Sequence, residues 1–121
     1  MYGDSSVIRK RAGQVRDQGA DVRALADQLV ATTEALGWTG RAARDLHTRV
    51  TERAAHLRAA AASHVTAADL LVRHAQEVAE LQDRIAEAEE RFHDLRASGE
   101  LVTDAEPPPP GHKDWLTFEL P

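Results

Sequence analysis

The sequence predicts an all-α fold: a two-helix antiparallel hairpin of coiled-coil type with a Pro-rich extended C-terminal tail. The hairpin is expected to dimerise into a four-helix bundle. Three observations lead there. Apolar residues recur every seven positions on both sides of one break. That break, Leu36-Gly37-Trp38-Thr39-Gly40, carries glycines at both 37 and 40, and glycine is costly inside a helix and cheap in a turn. Ala, Arg, Leu and Glu are abundant while aromatic residues make up only 4% of the 121 residues, which is the usage of long helices. The pattern divides the chain into a hairpin over residues 4–98 and a docking tail over residues 99–121. Within the hairpin, helix 1 covers about 5–36, the turn 37–40, and helix 2 about 41–97.

Helix 1 begins at Asp4 or Ser5, whose side chains can accept from the first free backbone N–H groups. Ile8, Val15, Val22, Leu29 and Leu36 follow at intervals of seven, which predicts a left-handed supercoil seam. Leu25 adds a partial second row. Ala12, Gly19, Ala26 and Thr33 form a neighbouring row of small residues. Gly19 in that row predicts close approach of another helix.

Trp38 is expected to plug the bend where the helices meet, with Gly40 giving its ring room. Helix 2 then runs without Gly or Pro to Gly99. Its first row is Ala43, Val50, Leu57, His64, Leu71, Val78, Ile85 and Phe92. Its second is Leu46, Arg53, Ala60, Ala67, His74, Leu81, Ala88 and Leu95. Ser98-Gly99 is a helix stop.

The helices are unequal. Folding about Trp38 sets Lys10 opposite residue 66, so helix 1 runs out near residue 72. Beyond it, an apolar stripe of about 25 residues, roughly 37 Å at 1.5 Å per residue, lacks a helix 1 partner. Leu71, Val78, Leu81, Ile85, Phe92 and Leu95 are therefore assigned as a partner interface. It is to be covered by a second chain, by the tail, or by both. In the tail, Pro107 to Pro110 favour an extended segment. Trp115, Leu116, Phe118 and Leu120 then form a docking segment, because a disordered tail rarely concentrates such residues.

Charge is uneven. Residues 1–60 carry ten Lys/Arg and seven Asp/Glu, residues 61–121 five and thirteen, giving +3 and −8 within the total of −5. An acidic C-terminal half argues against nucleic-acid binding and suits orientation in an assembly. No apolar run reaches the roughly 18 residues of a membrane helix, so no membrane insertion is expected. Residues 1–6 have no charged-then-apolar leader, which points to a non-Sec route or to the cytoplasm.

Chemistry is sparse. There is no cysteine. Glu90-Arg91-Phe92-His93 is a lone Glu-x-x-His, and helical di-metal sites need two plus further carboxylates. His64 and His74 read as polar inserts in the seam. No phosphate loop or nucleophile–base arrangement is present. No catalytic, cofactor-binding or metal residue is assigned, and no enzyme is expected.

Trp38-Thr39-Gly40, placed between two amphipathic helices, resembles the Trp-X-Gly family of type VII secretion substrates. The resemblance covers roughly residues 5–98. It implies a hairpin with the motif at its bend, pairing as a homodimer or heterodimer with a similar helical protein, and export through the type VII machinery. The longer second helix and tail are similar to the N-terminal domains of actinobacterial secreted effectors. That family's Tyr-x-x-x-Asp/Glu signal has no match after Leu95. Trp115-Leu116-Thr117-Phe118-Glu119 keeps an aromatic residue four places before an acid, and a partner could carry the signal. The second reading is a cytosolic helical chaperone or adaptor for a toxin or other partner.

Overall fold

The computed structural model describes residues 4–100 and 106–119. Two long α-helices dominate, α1 (Ser5–Ala35) and α2 (Arg41–Ser98), followed by a 3-10 turn, Lys113–Leu116. The described residues contain no strand, and the two long helices form the expected antiparallel hairpin. Among them, no helix is long and apolar enough to cross a membrane.

Local chemistry sets the ends. Asp4 caps α1: its carboxylate accepts from the Ser6 backbone N–H and hydroxyl, both at 2.8 Å. The Ser6 hydroxyl, then the Ser6 N–H, hold that carboxyl below its ordinary value, because both stabilise the charged form. At the bend, Gly37 and Gly40 take φ of +63° and +102°, a region closed to most side chains. Gly40 O then accepts the first α2 bond, from Arg44 N–H at 3.1 Å. The far end of α2 closes with paired bonds, Gly99 N–H to Arg96 O and Glu100 N–H to Leu95 O, the reversed pair of a Schellman stop.

The chain packs as two units, one of residues 9–72 and one joining residues 1–8 to residues 73–121. In the first, both helices meet through small residues. Ala12, Gly19 and Ala26 are buried on α1, and Ala54, Ala61 and Ala68 on α2. With no side chain beyond a methyl on either row, the backbones approach closely. A methyl added at Gly19 would sit 2.8 Å from His64 Cβ and 3.2 Å from Ala61 O. The small-residue row of α1 is thus the one that meets α2.

Two expectations are corrected here. Folding about Trp38 would set Gly19 against residue 57, whereas it lies against Ala61 and His64. The register is shifted by about one helical turn toward the C-terminus of α2. The second seam row on α2 is also different. Arg53, Ala60, Ala67 and His74 are exposed, and the buried row is Ala54, Ala61, Ala68 and Ala75. Only a small row lets α2 come within reach of Gly19, and Arg53 and His74 could not be desolvated there without partners.

A paired substitution measures this close approach. A methyl at Gly13 would meet no atom within 4 Å, so Gly13→Ala should stabilise by about 0.5–1 kcal/mol through helix propensity. Gly19→Ala gains the same but overpacks, at a cost of about 1–3 kcal/mol. It should melt below Gly13→Ala in thermal unfolding. Melting at or above it would mean the helices have room to spare.

In the second unit, residues 106–119 return along the distal part of α2. Ile85, Phe92 and Trp115 form a buried cluster, with Ala88, Leu116 and Phe118 packed against it.

Candidate interaction surfaces

The hairpin of residues 9–72 has two unlike flanks. One is charged: Arg16 pairs with Asp69 at 2.5 Å and Arg58 with Asp27 at 2.8 Å, all four side chains well exposed. Exposed pairs of this kind add little stability. Their use is to mark which sides of the two helices lie together.

The other flank is apolar. At 3.6 residues per turn, Val15, Val22, Leu29 and Leu36 lie on the opposite side of the small row from Arg16 and Asp27. Leu46, Val50, Leu57 and Leu71 lie likewise on α2. Val15, Val22, Leu46, Val50, Leu57 and Leu71 are half-buried, while Leu25, Leu29 and Leu36 are exposed. Ile8, the first member of the α1 row, is half-buried in the other unit. The seven-residue rows that the sequence assigned to the seam therefore edge the contact rather than fill it. They form a strip along both helices that the chain itself leaves open.

His64 sits in this strip. It is half-buried, and its Nδ1 donates to Ala60 O at 2.9 Å, so one ring nitrogen is satisfied within its own helix. His74 is exposed.

Trp38 is 66% exposed, and its assignment as a buried plug is overturned. The turn is five residues between helix ends, and no described residue lies across it for the ring to fill. Trp38 instead forms one wall of an open cleft with Leu36, Gly40, Ala43, Leu46 and His47. This extends the apolar strip around the bend. Trp38→Ala should accordingly change stability by no more than about 0.5 kcal/mol, the range of exposed positions. Urea unfolding checks this, and a loss of 3 kcal/mol or more would place the ring in a packed setting.

The distal stripe is covered by the tail, one of the coverings expected for it. Val78, Ile85 and Phe92 are buried, and Leu71, Leu81 and Leu95 are half-buried. Ile85 and Phe92 are covered by the chain's own tail. Trp115 meets Phe92 edge-on at 5.5 Å, Phe118 meets Phe92 at 5.9 Å, and Trp115 meets Phe118 at 5.5 Å. Such edge-to-face pairs add to the burial of the rings. Trp115 Nε1 donates to Pro109 O at 2.9 Å, which satisfies the one polar atom of the buried ring. Gly111 N–H donates to the Glu89 carboxylate. His112 Nδ1 accepts from Asp114 N–H at 3.1 Å and so caps the 3-10 turn that carries Trp115. Leu120, the last assigned docking residue, lies outside the described residues.

The heptad rows alone do not set the apolar flank apart from the helix contact. A signal for it was present: the row of small residues and the row of large ones cannot both face α2 at the shortest distance. Among the described residues, no three His, Asp or Glu side chains are grouped as metal ligands would be. No family model, curated protein or solved structure matches the chain.

Proposed function

We propose that this chain is a non-enzymatic helical hairpin of type VII secretion, acting as an export substrate or adaptor by pairing with another helical hairpin. The observation that carries the reading is the open apolar flank, Val15, Val22 and Leu29 on α1 and Leu36 just past its end, with Leu46, Val50 and Leu57 on α2. A two-helix layer buries one apolar stripe per helix and offers a second to a further layer. Small residues hold the two helices together here, so the larger ones remain for the partner. Trp38-Thr39-Gly40 at the bend supports the family reading.

The pairing is tested by the absolute mass in solution. A dimer that becomes monomeric in the Leu29→Asp/Leu36→Asp variant, with helicity unchanged by circular dichroism, supports self-pairing through this flank. A dimer untouched by those changes rules the flank out. A monomeric wild type excludes the homodimer and directs the test to co-expression with a neighbouring gene's product. Export is tested separately, by appearance in the culture supernatant that depends on the export ATPase. Retention in cells, in a stable complex, would favour the cytosolic adaptor.

A further inference from the structure

We infer that the partner accepted by the apolar flank of residues 9–72 is an acidic one, a helix pair whose own apolar rows are bordered by carboxylates. The inference rests on the reading of that flank as a pairing surface and adds the chemistry of what pairs there. The two flanks treat their arginines differently. On the charged flank, Arg16 and Arg58 are matched within the chain by Asp69 and Asp27. The apolar flank has no such matching. Arg11 and Arg53 stand one position before the buried Ala12 and Ala54, which at 3.6 residues per turn is the outer edge of the large apolar rows. Arg49 stands one turn before Arg53 on the same edge. All three are exposed, and none has an acidic partner among the described residues. The Arg11 guanidinium donates to the neutral Gln14 side chain at 3.3 Å. Arg49 and Arg53 are four residues apart, a like-charge spacing that weakens a helix unless something answers it.

Asp21 is the one acid on this border within residues 9–72. A second copy would bring the same border, so two copies of three arginines and one aspartate gather six guanidiniums against two carboxylates around one seam. Burial of the apolar rows does not by itself choose between partners. The strip from Val15 to Leu36 is about 30 Å long and two helices wide, about 600 Å² on each side, near the lower limit of a specific interface. On so small an area, opposite charge at the border decides which partner is met and held. A guanidinium answers a carboxylate with paired, charge-assisted bonds, and a helical partner presents its charges along the edges of its apolar seam. Carboxylates placed there would meet Arg49 and Arg53 toward the bend and Arg11 toward the other end of the strip.

The probe is a full-length copy of the chain with its border reversed, Arg11→Glu/Arg49→Glu/Arg53→Glu. It keeps the apolar rows and takes the acidic border inferred for the partner. Fluorescently labelled, it is titrated with wild-type chain and followed by anisotropy, and each chain is titrated with itself in parallel. The mixed pair is expected to bind at least about tenfold tighter than either chain binds itself. The gap should narrow in about 1 M salt, where charges act over about 3 Å. Leu29→Asp/Leu36→Asp in the wild-type chain should abolish the mixed pair. Mixed and self pairs of equal affinity, all lost on Leu29→Asp/Leu36→Asp, overturn the acidic partner and leave the flank as a pairing surface. Absence of binding, or binding untouched by those two changes, overturns both. A second variant, Arg49→Gln/Arg53→Gln in the wild-type chain, removes charge at exposed positions. It should weaken binding of the probe about tenfold with helicity unchanged, and unchanged affinity counts against the inference equally.

Discussion

Phe92→Ala should remove the C-terminal strap from α2. Phe92 is 2% exposed and touches both Trp115 and Phe118 edge-on. Truncating a fully buried Phe costs about 3–5 kcal/mol, from lost transfer free energy and the cavity left behind. Here the cavity would have a movable roof. The strap can lift away once docking is no longer favourable, and the cost is then capped at whatever docking was worth. The expected result is local: backbone amides of residues 111–117 lose hydrogen-exchange protection while those of residues 9–72 keep theirs. Trp115 emission should shift to the red as the indole enters water, read in a Trp38→Phe background so that one indole reports. Unchanged protection in the strap would mean that Trp115 docks without Phe92.

How far the sequence foretold this architecture depends on side-chain size. Large residues at intervals of seven reveal two helices, and Gly37 and Gly40 reveal the bend, because these effects are local. Alanine is ambiguous. Ala54, Ala61 and Ala68 are buried while Ala60 and Ala67, one position earlier in the heptad, are exposed. No propensity separates the two rows; what separates them is the close approach to Gly19, which belongs to the tertiary contact. Trp38 failed for a related reason. A large ring between glycines reads as a plug only if something lies over the bend, and a two-helix hairpin supplies nothing there. Trp115, Leu116, Phe118 and Leu120 mark the tail as a docking segment, for its own helix or for a partner. In the structure the acceptor is Ile85 and Phe92 of the same chain. The aromatic residues carried that signal, since a segment with three large apolar side chains gains much by burial.

The second large effect is expected at the helix contact itself, from Ala61→Leu. Ala61 is 2% exposed, and its carbonyl lies 3.2 Å from where a Gly19 methyl would stand. Three added carbons would point at the α1 backbone beside Gly19, with only the open groove along Ala20, Ala62 and Val65 next to it. Overpacking a tight core costs about 1–3 kcal/mol, and occasionally more. The upper end is expected here, because the neighbours that must yield are backbone and not flexible side chains. Leucine is nearly as good a helix former as alanine, so helicity of α2 alone gives no offsetting loss or gain. The variant should unfold at lower urea in residues 9–72, and there the exposed pairs Arg16–Asp69 and Arg58–Asp27 offer little to resist it. Ala60→Leu, one residue away on an exposed position, is the control and should leave the midpoint nearly unchanged. If the two substitutions behave alike, the small residues are not what brings α1 and α2 together. If Ala61→Leu alone is costly, the contact is set by Ala12, Gly19 and Ala26 against Ala54, Ala61 and Ala68, and the large apolar rows are free for the flank.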